Sequence, residues 1–592
     1  MKNLIFTLSF LTILLQGYQV KAQTLETNNE VKSQDSFIEI SGPQYGVWTT
    51  GSEYHVIGYI SVPRNQILVI EPGVTIKFMD RYAFTIYGIL YAEGTETDSI
   101  VFTSGQVPNS NSDWWGINIG DTASSDTSSI ISYSRIEYAS TGISCWHSNT
   151  IISNNLFYND STGINIEGGG TISNNTFNKN GWGIVCYEST ADITNNKIVN
   201  NSVAGIECIV SNDSLTIMNN EISNNGLNIM STYYGNGIGC YNSSPLISNN
   251  AIANNYYCGI YCSESSSPMI ANNIIEYNGY NWVGYGNGIL CDDSSPYIGY
   301  NTINNNDWSG IECTNNSVAI IEYNIFFSNR WSGIECSESN ATIKYNIIYN
   351  DSTAIWLNNS SPTIRNNTIA NNSYGGIINN LPSSPAILNN LFYKNTGFGA
   401  INGFSGSPTE LEFNLFYENS SNFSGDTIPL GFEDITIANT NGDSCDIYYN
   451  LFMDPMLSDA ANFNFHLLED SPCINAGNPN PAYYDPDGTI SDIGALYFQL
   501  VGIESNEIID NKITIYPNPS KGLITISSKY IDETIQVAVF DIRGIHYKSI
   551  EIEPANTINS TQFDLRNLSA GVYFLHCSSK SYNTTKKIII RN

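Results

Sequence analysis

Through the middle of the chain, apolar and polar residues alternate in short pieces that are cut apart by asparagine, serine and glycine. Period-two alternation of this length predicts β-strands, and no stretch shows the spacing of an amphipathic helix. The pieces also repeat. "WSGIEC" at Trp308 to Cys313 returns at Trp331 to Cys336, 23 positions later, and "AGIEC" lies at Ala204 to Cys208. Aligned on "NN" or "YN", twelve units run from Asn155 through Asn301 and Asn324 to Asn414, at a mean interval of about 23.5 residues. Each unit has an aliphatic residue three positions before its anchor asparagine and Phe or Ile two positions after it. Ten units place a further Asn five positions after the anchor.

An internal period of about 20 to 50 residues marks a solenoid. Three short strands per unit, each paired with its own copy one unit later, predict an all-β chain wound as a right-handed parallel β-helix, rising roughly 4.8 Å per coil. Ladders of Ile and Cys then stack into a continuous core that no single coil could bury. The anchor asparagine is expected at a bend, with its own backbone left-handed and its amide bonded to the amide above. From residue 513 the asparagine repeat stops. "IYPNPSKGLITI", "VFDIRGIHYKS", "LSAGVYFL" and "KKIIIRN" predict the short strands of a small C-terminal β-sandwich.

Lys2, the apolar run from Leu4 to Leu15 and "VKA" ending at Ala22 have the form of a cleaved signal peptide, so the mature protein is expected to be exported. No later run is long and apolar enough for a membrane-spanning helix. The expected organisation is a signal peptide at 1–22, the β-helix at 42–500, a linker at 501–512 and the C-terminal domain at 513–592. Between the signal peptide and residue 513 stand 12 basic and 49 acidic residues. Such a surface repels nucleic acid and anionic membranes and suits cations, calcium among them, neutral glycans or plain solubility. Eight of the twelve cysteines, from Cys145 to Cys336, fall three residues after a Gly, a place filled elsewhere by Ile166 or Leu357. That substitution pattern favours a buried thiol stack over disulfides or metal ligands, and no CxxC pair or zinc spacing accompanies it.

With this repeat, residues 42 to 499 resemble the pectin-lyase-like superfamily of parallel β-helix proteins. The opening "VWTTGSEYHVIGYISVP" and "LVIEPGVTIKF" resemble the first coils of its large bacterial surface members. "SPCINAG" and "DPDGTISDIGA" resemble their closing segment, and covering both ends of the solenoid would block edge-to-edge polymerisation. The superfamily holds lyases, hydrolases, adhesins and inert surface proteins, so this resemblance implies a fold and leaves activity open. The four C-terminal elements resemble, in order, the type A sorting domain of the type IX secretion system of Bacteroidota. That implies export by the type IX machinery, removal of the domain, and a β-helix secreted or tethered at the outer cell surface.

The candidate chemistry lies along one side of the coils. Two coils are longer than the rest, and both insertions end in "YGNG". They are expected on one edge, two coils apart, carrying Tyr233, Tyr234, Tyr280, Trp282 and Tyr285 at their tips. Tyr257, Trp308, Trp331 and Tyr374, two residues before the Gly of their coils, would make an aromatic strip beside them. Glu312 and Glu335 alternate with inward Ile and Cys and should point outward as neighbours, with one pKa raised. Glu264, Asp293 and Glu338 follow two places after the ladder cysteine. Aromatic faces receive sugar rings, and carboxylates receive hydroxyls or calcium or, as a pair, perform acid/base work. Few basic residues (Arg330, Lys344, Arg365) lie near, and no segment matches the catalytic motifs of lyase or hydrolase relatives. The expected function is therefore a monomeric extracellular protein that binds a glycan or matrix component without catalysis. The alternatives are a polysaccharide lyase or glycoside hydrolase, with Glu312 and Glu335 as the catalytic candidates, and a structural or adhesive stalk.

Overall fold

A computed structural model describes residues 37–498 apart from 108, 121–127, 227–234, 280–285, 404–406 and 426–427, and most of 513–590. The expected signal peptide and linker lie outside the described residues. The chain divides into two compact units, 1–497 and 498–592.

The first unit is a parallel β-solenoid with three faces. A coil is illustrated by the strands Tyr297–Gly299, Thr302–Asn304 and Ile311–Thr314, each paired in register with its copies in the coils before and after. The first face alone stacks sixteen such strands. Strands this short are stable here because the middle side chain of each, such as Ile298 or Ile303, is wholly buried among its copies. The core is aliphatic with aromatic stretches, as in Phe157 stacked on Phe177 at 4.7 Å and Phe392 on Phe416 at 4.9 Å.

The bends divide the labour of the "NN" pair differently from the sequence expectation. The left-handed residue is the one before the anchor: Asn154, Asn174, Tyr300, Tyr323 and Tyr345 have φ of 58, 57, 59, 57 and 55°. The anchor itself is buried and forms the ladder. Asn324 Oδ1 accepts from Asn301 N at 2.9 Å and Asn301 Nδ2 at 3.0 Å, and Asn324 Nδ2 donates to Ile298 O at 2.9 Å and Asn346 Oδ1 at 3.1 Å. The Asn side chain carries both the acceptor and the two-hydrogen donor that such a rung uses, on a stem short enough to stay inside the bend. A second ladder runs through Asn278, Asn306 and Asn329 at the next bend. The third bend carries a ladder of buried serines, in which Ser317 N donates to Ser339 Oγ at 3.1 Å and Ser339 N to Ser360 Oγ at 3.0 Å. The serine ladder was not anticipated, because serine is scattered through every loop of the sequence.

The cysteines of the third face pair in register from Cys186 to Cys336, one per coil, buried and free. Side chains in such a ladder run parallel to one another rather than converging as a disulfide requires.

At its start the solenoid is covered by Phe37–Pro43, paired with Glu53–Val62. Its other end is closed differently from the expectation. Phe432 packs edge-on against Phe416, Phe423 and Phe452, and Asn450 completes the anchor ladder by accepting from Asn414 N at 2.9 Å. The "SPCINAG" and "DPDGTISDIGA" segments do not cover that end; they double back along the side of the coils. There Asn366 Nδ2 donates to Ser491 Oγ at 2.8 Å and Ala495 N to Thr368 Oγ1 at 3.0 Å.

The second unit contains two small antiparallel sheets. One joins Ile513–Tyr516, Leu523–Ser528 and Asn559–Asp564; the other joins Ile535–Asp541, His546–Ile552, Gly571–Ser578 and Asn583–Ile590. Ile526, Val537, Val539, Phe563, Leu575 and Ile588 form its core.

Candidate functional site

The third face carries the candidate chemistry. In each G-I-x-C strand the Ile and Cys point inward, and the residue between them points outward. In register these outward residues are Tyr261, Leu290, Glu312, Glu335, Trp356 and Ile378. Glu312 and Glu335 are thus direct neighbours, as the repeat implies.

Neither carboxyl stands free in water. Glu312 is partly covered and accepts from Asn287 Nδ2 at 2.7 Å; burial, then the charge of Glu335, pushes it up to about 7. Glu335 is only 7% exposed. Burial raises its carboxyl too, against donors from Ser309, whose Oγ lies at 3.1 Å, and Trp308. Ser309 also contacts Ser332 Oγ at 2.9 Å, so Asn287, Ser309 and Ser332 form a buried polar row under the pair.

Over the start of these strands runs an aromatic ridge. Trp308 stacks on Trp331 at 5.1 Å and 11°, Trp331 meets Trp356 at 5.0 Å and 51°, and Tyr374 and Phe398 continue the line. Stacking covers part of each indole face, so the ridge presents ring edges and the tilted face of Trp356. Trp356 escaped the sequence reading because it occupies the outward strand position instead of the place before the Gly.

Over the ends of the same strands lies a groove of about 570 Å³. At one end Tyr257, Tyr261 and Leu290 pack with Cys258, which faces out of the barrel unlike the ladder cysteines. Asp292 crosses the floor, accepting from Tyr261 Oη at 3.2 Å and Asn315 Nδ2 at 2.6 Å. Beyond it Asn358 Nδ2 donates to Ser337 Oγ at 3.2 Å, and Asn380 Nδ2 to Asn358 Oδ1 at 3.0 Å. Of the carboxylates singled out after the ladder cysteine, Glu338 lines this groove; all three occupy the left-handed turn, with φ of 57° at Glu264, 48° at Asp293 and 52° at Glu338. Asp292 and the asparagine file were missed, since one acid or amide among many has no periodic signature.

The insertion tips bearing Tyr233, Tyr234, Tyr280, Trp282 and Tyr285 lie outside the described residues. Their necks are visible. Gly235 O accepts from Tyr257 N at 2.9 Å and Gly286 O from Trp308 N at 3.0 Å, so both insertions leave from one edge, two coils apart, beside the aromatic residues. A Cβ on Gly226 would come within 2.1 Å of Gly235 Cα, so the first neck closes tightly enough to demand glycine. Among the described residues no group of three or more His, Cys, Asp or Glu converges to hold a metal ion, and the calcium expectation finds no support there.

The fold and its C-terminal unit together define a class: an exported β-solenoid with an addressed tail. Residues 514–591 match the secretion system C-terminal sorting domain family, and residues 228–341 and 332–454 match the right handed beta helix region. The chain is a right-handed parallel β-helix protein with a type IX sorting domain, secreted or attached at the cell surface. No helix among the described residues is long and apolar enough to cross a membrane. Residues 73–282 also match the periplasmic copper-binding protein (NosD) family, although the described residues offer no cluster that fits copper. Similar solved structures include the periplasmic alginate epimerase AlgG, at 14% identity, with 58% of this chain and 76% of that one covered and a TM-score of 0.28. The pectate lyase Pel9A matches at 14% identity over 74% and 89%, with a TM-score of 0.23. A lacto-N-biosidase from Eubacterium ramulus matches at 14% over 52% and 58%, with a TM-score of 0.24. No curated protein matches the chain.

Proposed function

We propose that this is a monomeric extracellular protein that binds a glycan or matrix component on its third face, through the groove and the aromatic ridge, without cleaving it. The observation that carries the reading is the file of amides and hydroxyls along the groove floor. Asn315, Ser337, Asn358 and Asn380 offer donors and acceptors on successive coils, the pattern that sugar hydroxyls satisfy. Against catalysis stands the burial of Glu335, which leaves Glu312 without an open partner in the pair. Among the described residues the lining also contains no basic residue to abstract a proton in a lyase reaction.

Affinity electrophoresis of the full-length protein through gels containing polysaccharides tests this. Retardation that is lost in Tyr261→Ala plus Asn358→Ala, with polymer length unchanged, is the expected result; migration unaffected by every polymer would refute it and leave the stalk reading. One observation favours a second reading, glycoside hydrolysis: the Glu312 carboxyl, pushed up to about 7, has the protonation a general acid requires. New reducing ends that vanish in Glu312→Gln would establish it.

A further inference from the structure

The lining of the groove restricts what kind of glycan it can take. Among the described residues three carboxyl groups face it, Asp292, Glu312 and Glu338, and no Lys, Arg or His lines it. The polar remainder is neutral. A uronate or sulfate placed there would meet like charge and find no cation, whereas an uncharged ring would meet acceptors and amide donors for its hydroxyls. Asp292 is already fixed by Tyr261 and Asn315 and presents a charge of fixed position.

The groove also has a direction. Its lining comes from six successive coils, beginning with Tyr257 and Tyr261 and ending at Asn380 and Leu381. Five inter-coil steps give a trough about 24 Å long, parallel to the solenoid axis. Hydrogen bonds from Asn380 to Asn358 and from Asn358 to Ser337 run along it, so small polar side chains follow one another in register over its last three coils. A repeating ligand meets such a repeating floor better than a compact one.

We propose that the groove holds a linear, uncharged polysaccharide laid along the solenoid axis, and that Asp292, Glu312 and Glu338 turn away polyuronates and sulfated chains. This rests on the glycan-binding reading above and narrows it to one class. Burial of Glu312 is consistent with it, because a carboxyl that is partly protonated near neutrality can donate to a hydroxyl.

The test uses the full-length protein at neutral pH with a linear β-glucan, a xylan and a galactomannan, each beside its own carboxymethylated derivative. At least one neutral polymer should bind, and its carboxymethylated form roughly tenfold more weakly. Asp292→Asn with Glu338→Gln should narrow that gap, read as the ratio of the two affinities within the variant. The single variant Glu338→Gln, at an exposed turn, should narrow it in part and guards against misfolding of the double variant. Equal or tighter binding of the charged derivatives overturns the proposal and leaves glycan binding standing. So does charged-polymer binding that EDTA abolishes, which would signify cation bridging. Failure of every polymer to bind sinks the parent reading as well.

Discussion

Asp351 occupies a rung of the second asparagine ladder, and replacing it with Asn tests the ladder's logic. Its Oδ1 behaves as an asparagine oxygen would, accepting from Asn329 N at 2.6 Å and Asn329 Nδ2 at 3.1 Å, and its own N donates to Asn372 Oδ1 at 3.1 Å. Its Oδ2 is buried without a partner, at the place where other rungs hold Nδ2. Asn372 Nδ2, for comparison, donates to Ile348 O at 3.2 Å and to Asn395 Oδ1 at 2.9 Å. Only a protonated Asp351 can donate from that position. Burial pushes its carboxyl well above the usual range, against the Asn329 donors. A raised acid pKa makes the stability contribution complete below the unfolded value of about 3.9 and erodes it as pH rises towards the folded value. Asp351→Asn should therefore be more stable at neutral pH, by at least roughly 1 to 3 kcal/mol, because the amide donates at every pH whereas the carboxyl donates only by holding a proton that the unfolded chain releases. The gap should widen by about 1.4 kcal/mol per pH unit while the folded carboxyl stays protonated. Urea unfolding of both proteins between pH 4 and 8 reads this directly. A gap that stays flat with pH, or a variant less stable at pH 7.5, would show that the rung does not work as described.

Asn324→Leu removes two acceptor contacts from Asn301 and the donor to Ile298 O, and should lower stability by about 3 kcal/mol or more, measured by thermal unfolding against an exposed control such as Asn109→Leu. Gly310→Ala should cost about 1 to 3 kcal/mol, because its Cβ would meet Gly333 O at 2.6 Å and Phe326 Cδ1 at 2.9 Å; an unchanged melting temperature would disprove that close approach. All twelve cysteines are buried, and burial pushes Cys145 and Cys473 up to about 12. Intact-mass analysis should therefore find no maleimide adduct on the native protein and twelve on the protein unfolded without reductant. A shortfall in adducts after unfolding would reveal disulfides.

The fold was legible because coil stacking turns three-dimensional adjacency into sequence period. Ile298 lies on Ile321 and Cys313 on Cys336 for the same reason that the letters return about 23 positions later. What the period does not encode was harder to see. The left-handed residue and the ladder asparagine are adjacent and often identical, so only coils with Tyr300, Tyr323, Tyr345 or Phe413 in the first place separate the two roles among the twelve units. Closure of the solenoid by Phe432 and the return of residues 455–496 along its side are single events with no repeat to betray them. The same holds for the groove: Glu312 and Glu335 stood out as copies of one word, whereas Asp292 and Asn358 emerge only once the strand ends are placed side by side.

Duplication by itself would stack like on like, and in places the solenoid surface does so. Tyr300, Tyr323 and Tyr345 form a regular file at 4.9 and 5.0 Å on the first bend, which ends under Arg365, held between Tyr345 and Tyr483 of the returning segment. That file has a structural task, pinning the segment to the coils. The third face differs. Inward, its Ile and Cys positions are nearly uniform from coil to coil; outward, the in-register line reads Tyr261, Leu290, Glu312, Glu335, Trp356, Ile378, with a repeat only at the glutamates. Stacking support would not require such variety, nor would it set a buried carboxyl and a partly covered one side by side above a row of polar side chains, an arrangement that opposes stability. A polar, acid-lined trough laid over an otherwise repetitive core is where this molecule departs from the rules that build it, and the proposed glycan-binding role rests on that departure.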